Sequence, residues 1–277
     1  MVNIGFLKLG NIGSAPLIEF LLDERAEREG LKIRVFTSGA KLGVDEATEL
    51  SEDIAKFNPD IAIITSPNAS LPGPIKAVET SSKKGCSTII VSDSPAKKAL
   101  EKIEGLGAGY IIVEADSMLG ARREYLDAAE MAIFNADVIK VLAATGAFNL
   151  IRDEINRVIK EAEEKKKPTL PKVIIDSNKA VEAASYNNPY AKSKAMAAYE
   201  MAKRVSDLTV KACFMIKDWK TYTVMASAAH EMMRQAAMMA DEAREIEKMN
   251  DQLHRSPHDD DGTLLQKRKL IEKPSGR

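Results

Sequence analysis

The sequence has few cysteines and no long apolar run, and each of these two shortages excludes a class of protein. Only two of its 277 residues are cysteines, Cys86 and Cys213, which stand far apart, so we expect neither a disulfide framework nor a thiolate metal site. No run of about 18 apolar residues is present to span a membrane, and residues 1–8 lack the basic and apolar regions of a signal peptide. We therefore predict a soluble, cytoplasmic protein with no metal and no membrane partner.

The charges of the chain are balanced and dispersed. Lys and Arg together number 40 and Asp and Glu 41, which gives a formal net charge of −1 with both signs spread along the chain. A protein that binds nucleic acid through a large positive field would show an excess of basic residues, so no nucleic-acid partner is expected. A chain of this length is also sufficient for one large or two modest domains with a substantial core.

The first part of the chain alternates strand and helix signals. Short β-branched runs occupy 2–7, 31–36, 60–65, 87–91 and 109–113, and they are nearly continuous, as in strands that are buried on both faces of a parallel sheet. Helical segments follow at 14–29 and 45–56, and Ser94 before Pro95 predicts another helix start. The pattern predicts a doubly wound, mostly parallel, Rossmann-like α/β domain over residues 1–120 that binds a coenzyme.

Beyond residue 120 the strand signals stop, and a helical region is predicted over 121–205. Asp127 and Glu130 have the spacing of a capping box, and Gly146 stands where a left-handed residue would end that helix. A second helix is expected over 149–167. Asn188, which precedes a proline, should begin a third helix that reaches about residue 205.

The remaining residues, 206–277, are predicted to form a β-hairpin, a long helix and a polar tail that pack on the helical region. The β-branched runs 209–216 and 220–224 predict the antiparallel hairpin. Residues 228–253 predict the helix, one face of which carries small and sulfur-containing residues at helical spacing: Ala229, Met232, Met233, Ala236, Ala240 and Ala243. Such a stripe is typical of a helix-bundle core, within one chain or shared between subunits.

A glycine-containing turn after the first predicted strand is the first candidate ligand loop. It consists of Gly10, Asn11, Gly13 and Ser14. Glycines at such a turn let backbone N–H groups approach a phosphate at a helix N-terminus. Only half of the GxGxxG pattern is present, however, so the turn is as consistent with a tight turn as with a ligand loop, and no nicotinamide dinucleotide is implied.

Two further loops should lie at the same carboxyl edge of the sheet. One carries Pro67 and Asn68, and the other carries Asp93. Ligands of open α/β sheets bind outside the carboxyl ends of the strands, so three such loops together predict a cleft. The alternative is that the prolines of these loops serve only to shape them.

Basic side chains beyond residue 120 are candidates for anionic parts of a ligand. Arg122 and Arg123 at the predicted domain junction suit a phosphate or carboxylate, although a structural salt bridge is at least as common a role. His230 begins the segment HEMMR, in which Arg234 stands where the zinc motif HExxH requires histidine. That motif is therefore excluded, and His230 remains either a ligand contact or a capping or interface histidine.

Several segments, in order along nearly the whole chain, resemble one known family. They are GNIG at 10–13, LLDERA at 21–26, PGP at 72–74, MLGARRE at 118–124, VLAATG at 141–146, NPYA at 188–191, AHEMMR at 229–234, ADEARE at 240–245 and PH at 257–258. Together they are similar to the F420-dependent methylenetetrahydromethanopterin dehydrogenases. The family pattern has a proline where this chain has Ala69, and residues 161–187 do not align with it.

The resemblance implies an oxidoreductase of methanogenesis from carbon dioxide. Methylenetetrahydromethanopterin would give a hydride to C5 of the deazaflavin coenzyme F420, which acts as a co-substrate, and the products would be methenyltetrahydromethanopterin and reduced F420. No metal and no obligatory acid or base is implied, because direct hydride transfer between two organic ligands requires neither. The resemblance also implies a homo-oligomer, as a hexamer built from three dimers.

The resemblance and the loop positions together give a hypothesis for the site. Gly10, Asn11, Gly13 and Ser14, with Pro67, Asn68 and Asp93, are placed at the coenzyme. Arg122, Arg123, His230 and Arg234 are placed at the ligand tails and the pterin. A nicotinamide-dependent α/β oxidoreductase and a non-catalytic ligand-binding protein remain as alternatives.

Overall fold

The computed structural model describes residues 1–24, 30–117, 122, 124–125, 127–259 and 262–276. The chain divides into two compact units, which are described here one at a time. The first unit comprises Met1–Asp116 and Ile151–Ile175, and the second comprises Ser117–Leu150 and Asp176–Arg277. The segment 151–175 therefore belongs with the first unit, although it lies inside the region that was predicted to be helical.

The first unit contains a six-stranded parallel sheet with the order β2-β1-β3-β4-β5-β6. The strands are β1 (Val2–Lys8), β2 (Leu31–Thr37), β3 (Ile61–Ser66), β4 (Ser87–Ser92), β5 (Gly109–Val113) and β6 (Lys172–Ile175). All neighbouring strands pair in parallel, which confirms the predicted sheet. β6 was not predicted, and β2 is largely exposed because it is an edge strand rather than one buried on both faces.

The helices carry many of the predicted signals. They are α1 (Ser14–Asp23), α2 (Val44–Phe57), α3 (Pro72–Lys83), α4 (Leu100–Gly105), α5 (Ala128–Ala144), α6 (Ala147–Glu163), α7 (Ser177–Ala184), α8 (Pro189–Val210) and α9 (Trp219–Met249). Asp127 caps α5 through the N–H groups of Ala129 and Glu130, and Asn188 caps α8. Gly146 has a φ of +94°, as expected of a residue that follows a helix end.

The start predicted at Ser94 differs in detail. Asp93 is the capping residue, and its side chain accepts a hydrogen bond from the backbone N–H of Ser94. The segment that begins there, Ser94–Ala99, is a 3-10 helix that leads into α4.

The core of the first unit is divided by the sheet, because successive side chains of a strand point to opposite faces. Leu7, Ile64, Ile90 and Ile112 are buried on one face with residues from α2, α3 and α4. The crossover from β1 to β2 runs in the opposite direction from the next three, so right-handed crossovers put α1 on the other face.

The second unit is mainly helical, and the hairpin predicted over 209–224 is wrong. α8 continues to Val210 and passes into a π-helical segment, Lys211–Met215, and α9 begins at Trp219. The β-branched residues were misleading because Thr209 is buried with its hydroxyl bonded to the Ser206 carbonyl, so packing overrides the strand propensity. A small antiparallel sheet is present elsewhere, between Leu265–Gln266 and Ser275–Gly276.

The small-residue stripe of α9 lies in the core of the second unit. Ala229, Met233, Ala236, Ala240 and Ala243 are fully buried within the single chain, where α9 packs on α8 and α5. The stripe is thus used inside the chain. Among the described residues no single helix is long and apolar enough to cross a membrane, and one broken pair, α5 with α6, passes that test by length and composition only.

Candidate functional site

The strand order creates a topological switch point between β1 and β3, because the chain leaves β1 toward one edge and β3 toward the other. Open α/β sheets bind ligands outside the carboxyl ends of their strands at such a point. The turn after β1 and the loop after β3 meet there, since the N–H of Leu9 donates to the Thr65 carbonyl at 2.9 Å. The structure therefore brings two of the three predicted loops together.

Gly10 lies against Pro67 of the loop after β3. Its φ is +81°, and a Cβ at this position would lie 2.9 Å from Cδ2 of Leu42 and 3.1 Å from Cδ of Pro67. Glycine is required here both by the backbone conformation and by the space. Asn11, next in the chain, is exposed and so remains accessible to a ligand.

Asn68 shapes its own loop and retains a free donor. Its Oδ1 accepts hydrogen bonds from the N–H of Ser70 at 3.0 Å and from the Ser70 hydroxyl at 2.6 Å, which is an Asx turn. The two N–H groups of its amide take no part in this turn. They are directed by a fixed side chain and suit a ligand oxygen or nitrogen that carries negative charge.

Ala69 ties the loop after β3 to β4. Its N–H donates to Oγ of Ser92 at 3.0 Å, and the same hydroxyl donates to the Ser66 carbonyl at 2.6 Å. A proline has no N–H and could not form the first bond. A residue with an N–H at position 69 is therefore what links the loop after β3 to the end of β4.

Asp93 has a structural role in the third loop. It is buried, and its Oδ1 accepts from the N–H of Ser94 at 2.6 Å. The structure places it at the carboxyl end of β4, as predicted. Contact between Asp93 and a ligand stays a prediction.

The N-terminus of α1 holds a residue that sequence reasoning missed. The N–H of Ser14, after Gly13, lies 3.0 and 3.2 Å from the two carboxylate oxygens of Asp116. Asp116 is 0% exposed, and burial raises its pKa to about 7 against the lowering effect of the hydrogen bonds from Ser14 and Gly13. The available signal was its position three residues after the end of β5, because the preceding strand, β4, is also followed by an aspartate, the capping residue Asp93.

Lysines at this edge of the sheet are engaged in ion pairs. Lys8 pairs with Glu19 at 2.9 Å, and Lys97 pairs with the buried Glu114. A ligand that uses either ammonium group must compete with a carboxylate or share the cation with it.

In the second unit Arg122 is occupied by its own chain. Its Nε donates to the Ala212 carbonyl at 2.9 Å and its Nη2 to the Ile216 carbonyl at 3.2 Å. The guanidinium also lies 4.7 Å from the ring centroid of Tyr222. Arg122 thus holds the π-helical segment, and Arg123, the other predicted arginine, lies outside the described residues.

His230 lies on α9 inside an aromatic cage. Its ring stacks on Phe134 at 4.1 Å and meets the edge of Tyr125 at 4.9 Å, and its Nδ1 is 3.0 Å from Oε1 of Glu130. Burial lowers the pKa of His230, and the bond to Glu130 opposes that shift. The neutral ring leaves Nε2 buried without a protein partner, which is a costly state for a polar atom.

Arg234 is one turn further along α9 and is more than half exposed. Its Nε donates to Glu231 at 3.0 Å, a pair of the i, i+3 type. Such an exposed pair contributes little stability, so the guanidinium remains accessible to an anionic ligand. Tyr125 connects Arg122 with His230, because its N–H donates to the Arg122 carbonyl.

No group of three His, Cys, Asp or Glu side chains that could hold a metal ion is found in the part of the chain that the structure describes. The sheet edge of the first unit offers hydrogen-bond donors, such as the amide of Asn68. The second unit offers a buried imidazole, that of His230.

Comparisons with known proteins identify the family. A family model described as methylene-5,6,7,8-tetrahydromethanopterin dehydrogenase matches residues 2–275. The F420-dependent methylenetetrahydromethanopterin dehydrogenase of Archaeoglobus fulgidus is 53% identical over 274 residues, which are 99% of each chain. The corresponding enzyme of Methanothermobacter marburgensis is 49% identical over the same length, again 99% of each chain.

A solved structure to which this chain is similar belongs to the same kind of enzyme as these relatives. It is described as an F420 dependent methylene-tetrahydromethanopterin dehydrogenase in complex with methylene-tetrahydromethanopterin and coenzyme F420. It has a TM-score of 0.94 and 44% sequence identity over 99% of this chain and 100% of that chain. The resemblance carried by the ordered motifs is thereby confirmed, and the chain belongs to the methylene-5,6,7,8-tetrahydromethanopterin dehydrogenase family.

Proposed function

We propose that this protein transfers a hydride reversibly from 5,10-methylenetetrahydromethanopterin to coenzyme F420, and that it does so in methanogenesis from carbon dioxide. The products are 5,10-methenyltetrahydromethanopterin and reduced F420. The observation that carries the proposal is the full-length likeness to a structure described as a complex with both ligands. No metal takes part in the proposed reaction.

The residues at the sheet edge fit a deazaflavin coenzyme. When bound, the coenzyme supplies a ring carbon that accepts the hydride. Reduction adds negative charge to that ring, and preorganised N–H donors stabilise such charge. The free amide of Asn68 and the backbone of the turn from Gly10 to Asn11 are donors of this kind.

The protein needs to position the two ligands, and none of its side chains needs to react with them. Hydride transfer requires the two carbons to approach within about 3–3.5 Å, and holding them there contributes several kcal/mol. His230 offers its buried Nε2, and Arg234 its accessible guanidinium, to the pterin and its anionic tail. Arg122 acts through the segment that it holds.

The first experiment mixes the purified protein with methylenetetrahydromethanopterin and oxidised F420 in the absence of oxygen and follows the long-wavelength absorption of the coenzyme. Loss of this band, reversed by methenyltetrahydromethanopterin and reduced F420, is expected. Reduction of NADP⁺, when it replaces F420 in the same assay, would favour a nicotinamide-dependent oxidoreductase. Binding of both ligands without any reaction would favour a non-catalytic protein.

A matched pair of variants tests the coenzyme site. Asn68→Asp keeps the Oδ1 that accepts from Ser70 but removes both N–H donors and adds a negative charge, so the KM for F420 should rise about tenfold or more. Ser70→Ala removes one bond of the same turn and leaves the donors in place, so its KM should change less than threefold. Equal effects of the two variants would remove Asn68 from the site.

We also propose a cytoplasmic homo-oligomer, a hexamer built from three dimers. The α9 stripe does not support it, since that stripe is buried within the chain. Support comes instead from large apolar side chains of the second unit that remain exposed: Phe214, Met215, Trp219 and Val224. Light scattering after size-exclusion chromatography should give six times the chain mass of 30.3 kDa, and a monomer would contradict the proposal.

A further inference from the structure

The N-terminus of α1 is occupied by a side chain of the same unit. Doubly wound α/β folds use the helix after their first strand to bind nucleotide phosphates, because its free N–H groups and dipole favour negative charge. In this chain the N–H of Ser14 is bonded to both carboxylate oxygens of Asp116, at 3.0 and 3.2 Å. Gly13, the capping residue, contributes no side-chain bond.

Asp116 reaches this position from a distant strand. It follows β5, which is separated from β1 by β3 and β4, and three strand spacings amount to about 14 Å. The turn between β1 and α1 therefore runs across the carboxyl ends of the intervening strands, in agreement with the bond from Leu9 to Thr65. The carboxyl group of Asp116 is fully buried at the end of that turn.

We propose that Asp116 is a specificity-determining residue, which takes the phosphate position of α1 and thereby excludes dinucleotides whose pyrophosphate would bind there. The inference rests on the proposed function, since it concerns which hydride acceptor the coenzyme site admits. It also assigns a positioning role to the carboxylate, which fixes the turn that contains Gly10 and Asn11.

The exclusion follows from charge and from space. Above about pH 7, where Asp116 is ionised, a pyrophosphate at the start of α1 would compete for the N–H of Ser14 and would bring negative charge against a carboxylate that has no solvent to screen it. For a phosphate charge about 7 Å from the carboxylate charge, at an effective dielectric constant of about 20, Coulomb's law gives a repulsion that lowers the affinity for the dinucleotide by between about 10- and 100-fold. The incomplete GxGxxG pattern and the buried Asp116 thus both disfavour the binding of a dinucleotide.

The test uses Asp116→Asn, which keeps the shape and an oxygen that accepts from Ser14 but carries no charge. The probe is NAD⁺, measured at about pH 8, where Asp116 is ionised, by titration calorimetry and as a competitive inhibitor against F420. We expect binding of NAD⁺ to Asp116→Asn to be at least about tenfold tighter than to the unchanged protein. Asp116→Glu, which keeps the charge, should show no such gain.

Glu247→Gln is the matched control. Glu247 is also fully buried, and its carboxylate accepts from the N–H of Asn188 at the start of α8 in the second unit. Glutamine keeps an oxygen that can accept this bond but removes the charge, as Asp116→Asn does, at a helix start far along the chain from Asp116. It should lower the melting temperature without changing the NAD⁺ affinity or the KM for F420.

The outcomes separate this inference from the proposed function. An unchanged protein that does not reduce F420 contradicts the function, whatever NAD⁺ does. An active protein whose Asp116→Asn variant binds NAD⁺ no better, or whose unchanged form already binds it as tightly, overturns the inference. If Asp116→Asn and Asp116→Ser both fail to fold, the carboxylate is only structural and the inference is likewise overturned.

Discussion

Burial shifts the pKa values of two titratable side chains, one in each unit, in opposite directions. It raises the pKa of Asp116 to about 7 and lowers the pKa of His230. Both shifts favour the neutral form, because an ion in a poorly solvated site loses its hydration. The hydrogen bonds that these two groups make shift each pKa in the opposite direction from burial. The position of each pKa therefore depends on both the burial and the hydrogen-bond geometry of the group.

The raised pKa of Asp116 predicts a pH-dependent stability. In the unfolded chain an aspartate has a pKa of about 3.9, so between pH 4 and 7 the folded protein holds a proton that the unfolded chain has released. The resulting stabilisation is complete below about pH 4 and is lost as the pH rises through about 7, a change of a few kcal/mol. Asp116→Asn should flatten this slope in denaturant unfolding at pH 5, 6, 7 and 8. An identical slope in the variant would show that Asp116 ionises normally.

Gly10 gives a second prediction for a single residue. Gly10→Ala forces a side chain into a left-handed backbone and against Leu42 and Pro67, whereas Gly30→Ala meets the same backbone restriction, at a φ of +91°, with nothing within 4 Å. Both should lose about 1 kcal/mol from the backbone alone, and Gly10→Ala should lose more and also raise the KM for F420 severalfold. Melting curves and kinetics of the two variants measure the difference. Equal results would mean that the contact with Pro67 does not shape the site.

At the scale of elements, sequence patterns were reliable where local chemistry decides the structure. Asp127 and Asn188 cap helices as predicted, and the five strands that are rich in β-branched residues all form. β6 was missed because four residues between charged segments carry too little pattern. The hairpin was wrong because β-branched residues near Thr209 are buried by helix packing, which a local pattern does not report.

The π-helical segment that replaces the hairpin depends on Arg122. Arg122→Lys keeps the charge but loses the planar group that bonds two carbonyls and lies over Tyr222. We expect a loss of about 1–3 kcal/mol in unfolding free energy and faster hydrogen exchange over 211–216. Arg234→Lys, at an exposed pair on α9, is the control and should change stability by less than about 0.5 kcal/mol. If Arg122→Lys raised only the KM for the pterin, Arg122 would be a ligand contact instead.

At the scale of the whole molecule, the candidate site was predicted in part. All candidate coenzyme residues lie in the first unit, at the edge that the strand order selects, and Arg122, His230 and Arg234 lie in the second. Composition and motif spacing alone predict no more than an α/β ligand-binding protein. Hydride transfer between two organic ligands leaves no nucleophile or metal motif to recognise, so only the ordered set of family segments indicated the reaction. The role of Asp116 could not be predicted from a local sequence pattern, because its hydrogen-bond partner, Ser14, is 102 residues away in the chain.

The proposed mechanism has no acid or base, and isotopes can test this. If the hydride passes directly between the two ligands, substrate that carries two deuterium atoms on its methylene carbon should deliver one of them to the reduced coenzyme in ordinary water and keep the other on the methenyl carbon. Unlabelled substrate in D₂O should deliver none, because a carbon-bound hydride does not exchange with solvent.

The only buried imidazole among the described residues, His230, provides the decisive variant. His230→Gln should raise the KM for the pterin severalfold, since the proposed contact from Nε2 is changed, but should leave the label distribution the same. Mass spectrometry of the reduced coenzyme measures that distribution. Solvent deuterium in the product of the unchanged protein, lost in His230→Gln, would show that a proton carried by His230 enters the reaction, and the mechanism of direct transfer would then be wrong.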